Sequence, residues 1–286
     1  VAPKTKADED KMSESLKRIL QEDKTLRFVK NKETSEQILY GLGDQQIDVV
    51  LNKLKNKYKV EITTKTPKVQ YRETINAKVE VQGKHKKQSG GAGQYGDVWI
   101  RFEPADTEEM IFEEEVFGGA VPKQYFPAVE AGLREAMEHG PLAGYKVVGV
   151  KATLYDGSYH PVDSKEIAFK SAARLAYKAG MPKAKPQLLE PVSKVKVFVP
   201  EEYTGAIIGD LNKRRGLVMG MEMHDGVQVI EAEVPSSEMQ KYAIELRALS
   251  QGRGKYTISF DHYDVAPQNV AEKVIKESNF KDDSED

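Results

Sequence analysis

The sequence predicts a multidomain α+β protein, and three observations carry that reading. The chain has 286 residues, enough for two or three compact modules. Helical-period segments alternate with short strand-like segments along its length. Two proline-marked stretches, 65–68 and 182–191, divide that alternation into three parts.

In the first module, residues 1–67, Met12, Leu16, Ile19 and Leu20 recur at helical spacing behind acidic residues that suit a helix N-terminus. Segments 26–30 and 37–40 read as strands. Gly41-Leu42-Gly43-Asp44 then turns into a helix lined by Ile47, Val50, Leu51 and Leu54, and 59–63 returns as a strand. With an incoming strand before Lys11, this order predicts a small sheet with helices on one side.

The middle module, residues 68–190, opens with strand-like alternation over 71–81, followed by a glycine-rich turn and a strand over 95–103. A helix is predicted over 126–138, a long strand over 145–155 and a second helix over 164–178. Ile167, Ala168, Ser171, Ala172, Leu175 and Ala179 form the apolar face of that second helix. Asp163 and Glu166 have the spacing of an N-terminal capping pair.

The last module, residues 191–262, shows its order most clearly. A strand over 194–199 is followed by a helix over 204–214 and strands over 216–223 and 227–234. A helix beginning near Pro235 carries Met239, Ala243, Leu246 and Leu249, and a strand over 256–262 closes the module. This β-α-β-β-α-β order is the ferredoxin-like pattern. In the remaining segment, 263–286, Val270 and Val274 mark a short helix ahead of an acidic tail.

Composition narrows the function classes. Hydrophobic residues make up 39% and charged residues 31%, as in a soluble globular protein. With 43 basic and 45 acidic side chains the formal net charge is -2, so any nucleic-acid surface must be a local patch. The chain has no cysteine, which excludes disulfides, thiolate metal sites and a cysteine nucleophile. No run reaches the roughly 20 apolar residues of a membrane span, and the polar start carries no signal core. A soluble, cytoplasmic chain follows, and its initial Val is consistent with a piece of something longer.

Two loops of the middle module carry the most distinctive chemistry. In the first, Lys84, Lys86 and Lys87 precede Gln88-Ser89-Gly90-Gly91-Ala92-Gly93-Gln94-Tyr95-Gly96. The glycines permit close approach, the lysines suit phosphates, and Gln88, Ser89, Gln94 and Tyr95 offer hydrogen bonds or a stacking ring. No Gly-Lys-Ser/Thr follows the glycines, so this is not a nucleotide phosphate loop. The plainer reading is a solvated hairpin tip. The second loop is Tyr155-Asp156-Gly157-Ser158-Tyr159-His160-Pro161-Val162-Asp163-Ser164. His160 beside serine and aspartate raises a hydrolytic triad, yet no nucleophile elbow accompanies it.

In the last module Gly205, at a helix start, leaves backbone amides approachable, and Lys213, Arg214 and Arg215 gather at the helix end, where cations suit phosphate contact. Arg253, in Gln251-Gly252-Arg253-Gly254-Lys255, adds a second basic connector. The acidic run Glu108, Glu109, Glu113, Glu114 and Glu115 lacks a calcium-loop pattern and reads as a solvated face. Trp99 and Tyr177 read as packing groups. No catalytic, cofactor or metal residue is assigned.

These same stretches closely resemble the C-terminal half of the bacterial elongation factor G family, from about Lys4 to Val270. The most specific pieces are the Gln88 to Gly96 and Asp156 to Ser164 loops, Leu189-Glu190-Pro191, Gly209-Asp210-Leu211-Asn212-Lys213-Arg214-Arg215-Gly216 and Gln251-Gly252-Arg253-Gly254. The resemblance implies domains III, IV and V. The first and last are ferredoxin-like, and they flank an unusual βαβ-containing middle domain. Gly90, Gly91, Gly93, Gln94 and Tyr95 would form one tip loop of domain IV, with Tyr159, His160 and Pro161 in its neighbour. That tip would enter the decoding-region RNA of the small ribosomal subunit and accompany tRNA and mRNA movement. Gly205, Arg214 and Arg215 of domain V would approach the GTPase-associated region and sarcin-ricin loop of the large subunit, and the helix after Tyr263 would fold back toward domain IV.

The resemblance also implies a monomeric translational GTPase as parent, with GTP and magnesium held in an N-terminal domain before Val1 and no cofactor in this chain. Gly41-Leu42-Gly43-Asp44-Gln45-Gln46-Ile47-Asp48 departs from the family's commoner Gly-Met-Gly-Glu-Leu-His-Leu-Glu and points to a variant subgroup. Alternative readings are a fragment of a ribosomal protection or recycling factor, and a free-standing RNA-binding protein of this length.

Overall fold

The computed structural model describes residues 1–5, 7–31, 34–88 and 93–278. They form a multidomain α+β architecture with open sheets, divided into two compact units. One unit joins Val1–Gln70 to Pro191–His262, and the other joins Tyr71–Glu190 to the segment from Tyr263 onward.

In the first module, α1 (Ala7–Glu22) buries Met12, Leu16 and Ile19 against Val50 and Leu54 of α2 (Asp44–Asn56). Leu26 and Val60 close this cluster. The incoming strand is present as β1 (Ala2–Pro3). The expected single sheet is instead two antiparallel pairs: β1 with β4 (Ile62–Thr63), and β2 (Arg27–Lys30) with β3 (Gln37–Tyr40). The last strand starts later than expected because Lys59 turns to φ 56° and the Val60 amide donates back to Leu54 O. Those residues finish a helix turn rather than begin a ladder.

The middle unit contains β5 (Arg72–Ile75) and a four-stranded sheet of β6 (Val79–Lys87), β7 (Gln94–Pro104), β8 (Ile111–Glu114) and β9 (Val150–Ser158). Its order is β6-β7-β9-β8, antiparallel except for the β8–β9 pair. The expected strand over 71–81 is broken because the Asn76 and Ala77 amides turn to Ala184 O. The acidic run expected to be only a solvated face supplies β8. Phe112 packs against the core while Glu113 pairs with Lys151 at 2.8 Å and Glu115 with Arg101 at 3.0 Å.

Helix α4 (Glu166–Gly180) packs against β6 and β7 of this sheet, and α3 (Phe126–Ala136) packs against α4. Val98, Ile100, Phe102, Ala152 and Leu154 meet Val129, Leu133, Phe169, Ala172 and Ala176 there. The buried face of α4 is Ala168, Phe169, Ala172, Ala173, Ala176 and Tyr177, rotated from the predicted one; Ile167 and Leu175 are 51% and 42% exposed. The reason lies across the interface. A Cβ on Gly83 would stand 2.0 Å from Ala172 O, and one on Gly96 2.5 Å from Ala168 O. Helix backbone therefore rests directly on sheet backbone, which requires glycine below and alanine above.

Residues 145–149 do not join β9 as expected. They run beside Glu73 instead, which exchanges backbone bonds with Lys146 and Val148, while its buried carboxylate accepts the amides of Leu142 at 2.7 Å, Ala143 at 2.9 Å and Tyr145 at 3.1 Å. Tyr177 packs as expected, its hydroxyl donating to His139 O at 2.9 Å. Trp99 does not; it is 36% exposed, on the face of the sheet opposite the Val98, Ile100 and Phe102 core.

The expected linker over 182–191 is also overturned, because β10 (Pro186–Pro200) runs unbroken through most of it. Pro186–Leu189 pairs with β5 and Val192–Pro200 with β12 (Val227–Pro235). Pro191 falls in neither register, so its missing N–H costs those ladders nothing. With β11 (Leu217–His224) and β13 (Lys255–Val265), the strand order of the last module is β11-β12-β10-β13. Val195, Val197, Ile230 and Val234 pack with Ile207 and Leu211 of α5 (Thr204–Lys213) and Tyr242 and Leu246 of α6 (Tyr242–Leu249). The helix expected from Pro235 is split: a 3-10 turn, Ser236–Met239, is separated from α6 by Gln240 and by Lys241 at φ 62°. In the second unit α7 (Gln268–Ser278) buries Val274, and Ala266 N donates to Leu188 O. Among the described residues no helix is long and apolar enough to cross a membrane.

Candidate functional site

Strand direction gathers three segments at one end of the middle sheet. β6 and β7 form a hairpin, so the end of one adjoins the start of the other; β9 runs antiparallel to β7, so its end arrives at the same edge. Lys86, Lys87 and Gln88 therefore lie beside Gly93, Gln94 and Tyr95, and Tyr159, His160 and Pro161 follow β9 at that edge. Ser89, Gly90 and Gly91 lie outside the described residues.

The two loops are bonded to each other. Tyr95 N donates to Asp163 O at 3.0 Å, and Ser164 Oγ donates to Tyr95 O at 2.8 Å while accepting His160 N at 2.8 Å. A Cβ on Gly93 would meet the Asp163 carboxylate at 2.7 Å, so glycine lets the loops close on each other. Behind them, Ser158 Oγ donates to Asp97 Oδ2 at 2.7 Å and Gln82 Nε2 donates to Asp97 Oδ1 at 2.8 Å. Ser158 has spent its hydrogen, so the 2.7 Å contact with Tyr95 OH has the tyrosine as donor. Asp97 and Ser158 were not singled out from the sequence; their partnership exists only through β7–β9 register.

His160 has a half-exposed side chain and stands 6.4 Å, ring to ring, from Tyr95. The Val162 and Asp163 amides approach its Nδ1 at 3.3 and 3.2 Å. An Nδ1 that accepts leaves Nε2 carrying the proton, a donor for an incoming acceptor. The triad reading loses its geometry here, since the Ser164 hydroxyl serves backbone groups and Ser158 serves Asp97. The expected Asp163–Glu166 cap is not made either: Lys165 stands at the N-cap position, and α4 begins after it with no side-chain cap bond.

Lys86, Lys87 and Gln88 are exposed, and neither lysine forms an ion pair among the described residues. The Gln94 side chain meets His85 Nε2 at 2.9 Å. Among the described residues no group of acidic or histidine side chains is arranged to hold a metal ion.

In the last module α5 separates the predicted basic residues into two groups. At its start, Gly205 is exposed with open space where a Cβ would stand, and Arg253 lies 4.8 Å over the Tyr203 ring while pairing with Glu202 at 2.7 Å. At its end, Lys213 is exposed and Arg215, at φ 59°, reaches Glu238 at 3.3 Å. Eight residues of helix put the two groups about 12 Å apart, too far for one phosphate. Arg214 does not belong to this surface, contrary to expectation. It is 9% exposed, bonded to Asp210 at 2.8 Å, to Glu245 at 2.6 Å and to Glu238 O, and it covers the Tyr242 ring at 5.0 Å. A guanidinium with all its edges engaged braces α5 against α6. The local signal was present in the sequence, as Asp210 lies four residues before it.

The chain is thus a multidomain α+β protein with two polar loops bonded together at one sheet end and a helix that carries basic residues at its end. Residues 1–66 match elongation factor G domain III, residues 67–185 match elongation factor G domain IV, and residues 187–274 match the elongation factor G C-terminus. The chain belongs to the elongation factor G family, comprising domains III and IV and the C-terminal domain. It is similar to a crystal structure of a protein from Thermus thermophilus, with 44% identity and a TM-score of 0.89. That match covers 97% of this chain and 42% of the Thermus chain, so the present chain spans less than half of that relative's length.

Proposed function

We propose that this chain is the ribosome-binding C-terminal portion of an elongation-factor-G-like translocation GTPase. It acts by placement: the tip of the middle domain enters the decoding region and promotes tRNA–mRNA movement, while the last domain contacts the sarcin-ricin loop and GTPase-associated RNA of the large subunit. GTP and magnesium would be bound by an N-terminal domain of the parent. The first and last domains are read as ferredoxin-like, the latter from its β-α-β-β-α-β order. The observation that carries the proposal is the bonding of Tyr95 to Asp163 and Ser164, which makes two loops one polar edge, beside lysines that form no ion pair among the described residues. RNA is met by charge at phosphates and by polar or aromatic groups at bases, and this edge offers both.

Ribosome co-sedimentation of the full chain across a salt series tests it. The Lys86→Ala/Lys87→Ala variant should bind more weakly, with a salt slope smaller by about 0.7–0.9 for each phosphate that a removed lysine had neutralised. Unchanged affinity and slope would remove these lysines from the interface.

A further inference from the structure

We propose that the open face of the middle sheet is a second RNA-binding surface, on which bases stack against Trp99 and Tyr155 and the phosphates run toward Lys84 and Lys86. The proposal rests on the RNA-facing reading of the tip and extends it along the sheet. Its first support is a bulge. Trp99 pairs with Asp156 but Ile100 pairs with Leu154, so Tyr155 is an extra residue in β9. A bulge of this kind re-aims a side chain, and here it sets the Tyr155 ring 6.4 Å from Trp99 on the face away from the core. Arg101 lies 5.2 Å over the same ring, and its charge is balanced by Glu80 and Glu115, so it contributes a flat surface more than a field.

The second support is the charge distribution toward the tip. Lys84 and Lys86 alternate on the same face as Trp99, with Lys86 opposite Tyr95 and Lys84 opposite Asp97. Neither lysine has an ion-pair partner among the described residues. Asp97, the anion directly across from Lys84, is 6% exposed and turned to Ser158 and Gln82. Lys84 instead stands 5.6 Å over the Tyr95 ring. An exposed indole beside a phenol, leading to lysines that form no ion pair among the described residues, is complementary to a polyanion with flat bases. Sequence-tolerant stacking on such platforms is the usual basis of single-strand binding.

Trp99 is the sole tryptophan of the chain and reports on its own surface. Titrating the full chain with a ten-nucleotide oligoadenylate should quench its emission saturably. In a parallel anisotropy titration with labelled oligomer, Trp99→Ala should bind roughly tenfold to a hundredfold more weakly, and Trp99→Phe should keep most of the affinity. His160→Ala, measured alongside, reads the tip separately. Weakening by Trp99→Ala would support the platform whether or not His160→Ala also weakens binding, and the tip reading is decided by its ribosome test. Weakening by His160→Ala alone, or emission that RNA leaves unchanged, would overturn the platform and leave the tip reading standing on its ribosome test.

Discussion

Removing the Glu73 carboxylate should destabilise the middle unit in a graded way that its three amide bonds set. Oε1 accepts the Ala143 and Tyr145 amides and Oε2 accepts the Leu142 amide. Glu73→Gln keeps one oxygen and turns an NH2 toward an amide, leaving at least one N–H without an acceptor, a loss of about 1–3 kcal/mol. Glu73→Ala strands all three, including the buried Ala143 amide, and should cost roughly 3–5 kcal/mol after discounting what water recovers at the partly exposed ones. Burial, offset in part by those amides, holds the Glu73 carboxyl above its ordinary value of 4.5. The native state thus keeps a proton that the unfolded chain releases between pH 4.5 and the raised value, so this group's contribution to stability falls as pH rises through that window. In Glu73→Gln that pH-dependent component should vanish. Urea unfolding followed by Trp99 emission, which reports this same unit, reads both effects. Two variants with midpoints equal to the parent's would refute the view that the carboxylate organises residues 140–149.

Two other substitutions probe the packing. Gly83→Ala, which drives a methyl to 2.0 Å from Ala172 O, should cost at least about 1–3 kcal/mol by overpacking, readable in the same unfolding assay. Arg214→Ala should cost about 2–4 kcal/mol, since it leaves Asp210 and Glu238 O unpartnered while exposed Glu245 is rehydrated; thermal unfolding checks it, and a neutral result would return Arg214 to the candidate RNA surface.

Much of the element order could be read from the sequence because apolar period and turn residues are local signals. The last module shows this best: three of its four strands lie close to their predicted places, and the first covers its predicted 194–199 but starts eight residues earlier. What failed depended on distant partners. The α4 face was misphased because alanines occupy several of its sides, and only Gly83 and Gly96, some 70–90 residues earlier, decide which alanines face the sheet. The linker over 182–191 misled because a proline outside both ladder registers looks the same in sequence as a proline in a loop. β8 was hidden by the glutamates in it and just after it; Lys151 and Arg101, the partners of Glu113 and Glu115, come from other strands. At the candidate site the residue types were visible, but the bonds from Tyr95 to Asp163 and Ser164 follow from strand direction alone. Arg214 and Arg215 are adjacent and chemically alike, and only the fold separates a brace from a surface cation.

The seam where α4 lies on bare strand backbone has a mechanical corollary. A slip of the helix by a single residue would bring Phe169 over a position with no room even for a methyl, so the helix is indexed like a pawl against a ratchet tooth. Ser164 and Asp163 stand just ahead of its first turn and inherit that indexing. The projecting edge would then transmit a push from the body of its unit with little slack.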